Sequence, residues 1–359
     1  MQVFTRIIRV RNEEVEREIK LLREVALALR NGEVVAFPTE TVYGLGANAT
    51  NSEAVKKIFE LKNRPSDNPL IVHVSSKEEI GKCAVVSNEV EETIINTLMP
   101  GPITVILRKK EVISPLVTAG LDTVGIRVPY NTIAQKLIEL SGVPVCAPSA
   151  NISGKPSATD SQTVIEEFSG RIPFIIDGGR THIGIESTVV MVKEEERRFS
   201  VLILRPGFVT KEDIEEAINT RRFSKPVEIN YSEEFSVDTP LSPGQKYRHY
   251  SPVSHVVIVK NIKNIEPIVK ELRNGKIGIL GRPKFLKEVR RFLEYINVKN
   301  ILEIEWCKYD LIDCARNLFF AYRMFDRENA VLILVENLEE SGIGYSIMNR
   351  VKKSATYIV

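Results

Sequence analysis

The residues best suited to chemistry stand in short clusters at the ends of apolar runs. Val34-Val35-Ala36-Phe37 reads as a buried strand and runs directly into Pro38-Thr39-Glu40-Thr41-Val42-Tyr43-Gly44-Leu45. Hydroxyls, a carboxylate and a glycine thus gather where a strand ends, the place at which α/β proteins collect ligand-binding groups. Val143-Pro144-Val145-Cys146-Ala147 leads in the same way into Pro148-Ser149-Ala150-Asn151, and Val201-Leu202-Ile203-Leu204 into Arg205-Pro206-Gly207. Lys62-Asn63-Arg64-Pro65 puts two cations at the end of a helical stretch. Hydroxyls, amides and paired cations suit an anionic, nucleotide-like ligand, because arginine forks two phosphate oxygens and lysine supplies a point charge.

Read singly, each cluster also has a plainer meaning. Lys62 and Arg64 suit a helix C-terminus, where cations complement the dipole. His73, inside Leu70-Ile71-Val72-His73-Val74, reads equally as a core or edge histidine. Thr39, Thr41 and Tyr43 are common turn residues, Ser149 and Asn151 form local turns, and Ser187-Thr188 fits a strand by propensity alone. It is their co-occurrence that points to a site. Gly154-Lys155-Pro156-Ser157 lacks the upstream glycine of a P-loop and carries proline where Ser or Thr belongs, so any ATP is held without one. There is no G-x-S-x-G elbow and no His, Cys or Asp set with metal-ligand spacing. Catalysis by positioning and electrostatics is favoured over covalent catalysis.

The elements that must position these clusters follow from periodicity. Apolar residues at Val15, Ile19, Leu22, Ala26 and Leu29 predict a helix over Glu13 to Arg30, ended by Asn31-Gly32. A second helix spans Ser52 to Lys62 with Ser52 as N-cap. Strands are expected at Leu70–Val74, Ile103–Leu107, Thr123–Val128, Pro144–Ala147, Phe174–Asp177, Ser187–Val192 and Val201–Leu204, with helices near 88–98, 131–141 and 159–168. That is a mixed α/β domain over residues 1–220. Residues 221–254 lack periodicity and are rich in proline, which reads as a linker or lid. They carry Ser242-Pro243-Gly244-Gln245-Lys246-Tyr247-Arg248-His249-Tyr250. From 255 to 359, strands at 255–260, 276–280, 298–302 and 330–335 alternate with helices at 263–273, 284–295, 310–326 and 345–354. The alternation predicts a smaller, Rossmann-like parallel sheet without the dinucleotide fingerprint.

Bulk properties set the bounds. The chain has 359 residues, which favours two domains, and a net charge of +2, which gives no electrostatic case for non-specific nucleic-acid binding. Cys83, Cys146, Cys307 and Cys314 are far apart in apolar surroundings and read as reduced, buried thiols. No apolar run reaches transmembrane length and no signal peptide is evident, so a cytoplasmic protein is expected.

Together the motifs resemble the YrdC-like family, in its two-domain threonylcarbamoyl-AMP synthase form. The resemblance rests on Pro38–Leu45, Lys62-Asn63-Arg64, Pro69–His73, Pro100-Gly101-Pro102-Ile103-Thr104, Arg127-Val128-Pro129, Pro148–Gly154, Ser187-Thr188-Val189 and Leu204–Gly207, with Ser242–Tyr250 and Gly342–Arg350 matching the longer form. It implies a twisted α/β first domain with a concave cationic cavity. It also implies that L-threonine, bicarbonate and ATP with Mg²⁺ give threonylcarbamoyl-AMP and pyrophosphate. A transferase complex would then place the product on tRNA. By this resemblance Lys62 and Arg64 are catalytic phosphate holders. Thr39, Arg64, His73, Thr123 and Ser187 form the threonine site, and Lys62, Ser149, Asn151, Arg205, Arg248 and Tyr250 the nucleotide site. Direct tRNA contact stays open, as do two rivals: a carbamoyltransferase-type maturation factor and a double-stranded RNA-binding module.

Overall fold

The computed structural model describes residues 3–232, 250–272 and 274–359. These divide into two compact units, the first reaching Ser153 and resuming from Ala158, the second joining Gly154–Ser157 to the residues from Tyr250 onward.

The first unit is a mixed sheet. Its strands are β1 Arg6–Arg9, β2 Val35–Phe37, β3 Gly44–Asn48, β4 Ile71–His73, β5 Ala84–Val85, β6 Ile103–Lys109, β7 Thr123–Arg127, β8 Val145–Cys146, β9 Phe174–Asp177, β10 Thr188–Glu194, β11 Phe199–Arg205 and β12 Val227–Tyr231. Their spatial order is β1-β9-β2-β3-β8-β4-β7-β6-β10-β11-β12, with β5 added on β6. The helices are α1 Ile19–Arg30, α2 Ser52–Lys62, α3 Ile80–Cys83, α4 Glu89–Leu98, α5 Thr132–Ser141, α6 Ser161–Phe168 and α7 Lys211–Ile218. The apolar stripe of α1, Leu22, Val25, Ala26 and Leu29, packs with Ile133, Leu137 and Ile138 of α5 over Val35, Phe37 and Val145. Ile58 of α2, Ile94 of α4 and Ile214 of α7 belong to a second cluster with Val105, Ile126 and Val190. Layered burial of this kind is the dominant favourable term in folding.

Several expectations change. The helix foreseen from Glu13 begins only at Ile19, because residues 12–14 form a 3₁₀ turn in which Glu14 reaches back to the Arg11 N–H at 3.2 Å. Helix α2 is capped by Asn51 rather than Ser52: the Asn51 carboxamide accepts from the Glu53 and Ala54 N–H groups, while the Ser52 hydroxyl bonds Ser114 at 2.7 Å. Part of the expected linker is strand. β12 pairs in parallel with β11, and its alternating Val227, Ile229 and Tyr231 pack against the core of the first unit. Residues 233–249 of that stretch lie outside the described residues.

The second unit bears out the alternation. Strands β13 His255–Val259, β14 Lys276–Gly281, β15 Ile301–Glu305, β16 Ala330–Glu336 and β17 Tyr357–Ile358 alternate with helices α8 Glu266–Leu272, α9 Pro283–Tyr295, α10 Leu311–Arg327 and α11 Ile343–Ser354. The sheet order is β15-β14-β16-β13-β17 and every pairing is parallel. The cysteine expectation holds for Cys83 and Cys146, which are buried and free, with burial pushing their thiols up to about 11 and about 12. Cys307 and Cys314 are buried as expected but not reduced, since they form a disulfide. The turn from β15 into α10 folds back so that the seven-residue separation closes, with the Trp306 indole donating to the Cys314 carbonyl at 2.8 Å. Among the described residues no helix is long and apolar enough to cross a membrane.

Candidate active site

Backbone bonds knit three of the sequence clusters together. The loop after β8 lies against the start of β3: Leu45 N–H donates to the Pro148 carbonyl at 2.9 Å and Ala150 N–H to the Tyr43 carbonyl at 2.7 Å. Helix α2 delivers Lys62 beneath that loop, almost fully buried, and then stops because Asn63 turns left-handed at φ 51°. The Lys62 ammonium donates to the carbonyl oxygens of Ser149 and Asn151, and the Ser153 N–H donates to the Lys62 carbonyl at 2.9 Å. Lys62, Ser149 and Asn151, predicted to share the nucleotide, therefore share one patch of backbone. Arg64 is half-buried and donates to the carbonyls of Asn68 at 3.2 Å and Pro69 at 2.9 Å, on the segment that feeds β4.

A second group forms where β10 begins beside β6. The Ser187 hydroxyl lies 2.9 Å from that of Thr104. The Arg205 guanidinium, also buried, donates to the Ser187 carbonyl at 3.1 and 2.9 Å and to its hydroxyl at 3.1 Å. Ser187 and Arg205, expected on different substrates, thus bond to each other. Gly207 makes this approach possible: a Cβ there would stand 2.2 Å from the Thr188 nitrogen, and backbone cannot yield.

The third group centres on the β2–β3 turn. The Thr39 hydroxyl donates to the Val42 carbonyl at 2.7 Å and lies 2.9 Å from the Thr41 hydroxyl. Thr41 in turn accepts from Arg127 Nη2 at 2.9 Å. Arg127 also lies 2.7 Å from Glu40 Oε1, with both side chains buried. That contact is a charge pair off the hydrogen-bonding axis, since neither Glu40 oxygen has a hydrogen-bond partner among the described residues. His73 stands opposite Arg127 in the parallel register of β4 and β7. Burial, aided by the Arg127 cation, pushes the imidazole down to about 3, so it is neutral at physiological pH.

Of the remaining predicted residues, one is distant along its strand and one belongs to the second unit. Thr123 opens β7, four residues before Arg127, which is about 13 Å along a strand. Tyr250 is buried in the second unit, stacked on Phe319 at 5.2 Å with the Arg350 guanidinium 5.8 Å over its ring. Arg248, with Tyr247 and His249, lies outside the described residues. A mostly apolar cavity of about 880 Å³, lined among others by Glu40, Pro100, Tyr130, Ile183 and Phe208, has no predicted site residue in its wall. Thr104, Arg127 and Glu40 were not foreseen as site residues. A charged pair in two segments that otherwise read as buried is the signal that could have found the last two, since buried charges need partners.

Comparison with known proteins identifies the family to which this fold belongs. The Sua5–YciO–YrdC family model, described as telomere recombination, matches residues 27–207. The threonylcarbamoyl-AMP synthase C-terminal domain matches residues 209–356. The chain is 42% identical over 361 residues to the threonylcarbamoyl-AMP synthase of Pyrococcus abyssi, covering 99% of this chain and 98% of the relative. It is 40% identical to that of Bacillus subtilis, covering 93% and 92%. The crystal structure of P. abyssi Sua5 complexed with L-threonine matches with a TM-score of 0.82 at 40% identity, covering 99% of each chain. The mixed α/β first unit and parallel second unit are the two-domain architecture of this group. The chain belongs to the threonylcarbamoyl-AMP synthase family.

Proposed function

We propose that this protein makes threonylcarbamoyl-AMP and pyrophosphate from L-threonine, bicarbonate and ATP, for tRNA threonylcarbamoyladenosine modification. The observation that carries this reading is the likeness, over nearly the whole chain, to a relative whose structure holds L-threonine. In chemical class the protein is then a nucleotidyltransferase. The threonine amine and bicarbonate give a carbamate with loss of water. A carbamate oxygen attacks the α-phosphorus of ATP, a P–O bond forms, and the α–β P–O bond breaks to release pyrophosphate. Two anions must meet in this step, so the cations Lys62, Arg64 and Arg205 fit the need for charge neutralisation and alignment. Mg²⁺ would come with the ATP substrate and would need few protein ligands. Among the described residues no three His, Cys, Asp or Glu side chains converge as a metal site. Threonine would lie near His73, Ser187 and Arg64, and the product would pass to a tRNA-modifying transferase complex in the cytoplasm.

The test is pyrophosphate release with mass detection of the adenylate. Release should require threonine and bicarbonate together; an equal rate with either omitted would refute the reading.

A further inference from the structure

Three helices pair a surface lysine with a glutamate one turn away. Lys56 meets Glu60 at 3.9 Å on α2, Lys211 meets Glu215 at 3.7 Å on α7, and Lys270 meets Glu266 at 2.6 Å on α8. Helix α9 departs from that habit. Its Lys284, Lys287 and Arg291 are exposed, and none has an ion pair or hydrogen bond among the described residues. The carboxylates around them are engaged elsewhere: Glu336 lies 2.7 Å from Arg282 and Glu303 2.6 Å from Arg290, with Glu294 also acting on Arg290. On the helix only Glu288 is left to face the three cations. The helix itself does not favour them either. It has no acidic residue in its first turn, and Lys284 stands there at the positive end of the dipole, where cations are disfavoured.

The cations share a line with an aromatic ring. Lys284, Arg291 and Tyr295 stand at i, i+7 and i+11, one stripe on a helix of about 3.6 residues per turn, with Lys287 beside it. Phe285, Val289 and Leu293 face the other way, into the core of the unit. Tyr295 is 83% exposed, so its ring gains little by burial within the chain. Along the axis Lys287 stands about 4.5 Å from Lys284 and about 6 Å from Arg291, within reach of successive phosphates of one strand. The net charge of +2 conceals this stripe because it sums the whole chain. We propose that the outer face of α9 binds a single-stranded stretch of RNA, with Lys284, Lys287 and Arg291 on phosphates and Tyr295 stacked on a base. A duplex fits less well, since its bases stack on one another and leave the ring unused. The choice of tRNA as that RNA rests on the threonylcarbamoyl-AMP reading above: the product is destined for tRNA, whose loops offer unpaired bases.

Fluorescence anisotropy of the full-length protein with a labelled, unmodified tRNA transcript tests this. Lys284→Gln, Lys287→Gln and Arg291→Gln combined should weaken binding by ~10-fold or more at about 0.1 M salt. The slope of log K against log salt should become shallower by about 2, from ~0.7 for each of three phosphates. Tyr295→Ala should weaken binding by ~10-fold and leave the slope unchanged, because stacking releases no counterions. Pyrophosphate release without RNA should keep the wild-type rate in both variants, which also shows that they fold. A duplex RNA of the same length should compete poorly for the transcript. The inference is overturned if wild-type protein does not bind the transcript, if either variant binds it as wild type does, if release falls together with binding, or if the duplex competes equally. Wild-type protein that binds the transcript but makes no threonylcarbamoyl-AMP would overturn the functional reading and leave the RNA surface in place.

Discussion

The two units use buried charge differently. In the first, Lys62, Arg127 and Arg205 are buried where strands and helices end, and each touches a segment that the sequence marks for chemistry. In the second, the buried Arg350 donates to the Ser346 carbonyl one turn back on its own helix and lies over the ring of Tyr250, the one such motif residue described there, while the buried Arg323 donates to the Pro156 carbonyl. The sheets differ in the same way. The second is wholly parallel with regular strand–helix alternation, whereas the first mixes directions and interrupts its strands with short hydroxyl-bearing turns. Regular patterning spends its residues on packing. Breaks in it free side chains and backbone for a site, at a cost in desolvation that must be offset locally.

The largest effect that sharpens this contrast is on stability in acid. His73 is held neutral down to about pH 3, whereas an unfolded histidine protonates near its ordinary value of about 6.5. Between those values the unfolded chain binds one more proton than the folded one, so stability rises with pH and is lost as pH falls below about 6.5. At about pH 4 this amounts to roughly 3 kcal/mol. Denaturant midpoints of wild type and His73→Gln should converge on acidification, because only the wild type carries this loss. Parallel pH curves would show that the first unit does not hold its histidine neutral.

A somewhat smaller effect, read as rate, concerns the cations after α2. Lys62→Ala and Arg64→Ala should each lower product formation by ~10²-fold, the scale of losing one preorganised charge-stabilising donor. Pyrophosphate release at saturating ATP measures it. Near-normal turnover in both variants would remove these residues from the chemistry and erase the distinction between the units.

Legibility followed the same division. The second unit's four main strands and their helices could be read because periods of 2 and 3.6 survive where packing alone is served. In the first unit, β3 was missed: its Gly-Leu-Gly-Ala-Asn looks unlike a strand, yet Gly46 is required there, since a Cβ would stand 2.6 Å from the Phe37 ring. Strand β12 was hidden by the prolines around it, although Val227, Ile229 and Tyr231 alternate in plain view. The motifs of the site were legible as hydroxyls and cations after apolar runs. Their pairing was not: Glu40 and Arg127 stand 87 positions apart, and no local rule joins them. The Cys307–Cys314 link escaped for another reason, because the turn that brings the pair together has no periodic signature.

The smallest effect tests whether the second unit's regularity serves packing alone. Ile279, in the middle of β14, is fully buried among Val257, Val289 and Leu334. Ile279→Val removes one methylene from a close-packed interior and should cost about 0.5–1.5 kcal/mol, the range for this exchange in other cores. Because nothing in that cluster belongs to the site, the threonine and ATP KM values of the folded protein should be unchanged, and only the denaturant midpoint should fall. If Ile279→Val instead moved either KM without lowering stability, a core position of the second unit would be coupled to the chemistry of the first. The division between a unit that packs and a unit that reacts would then have to be abandoned.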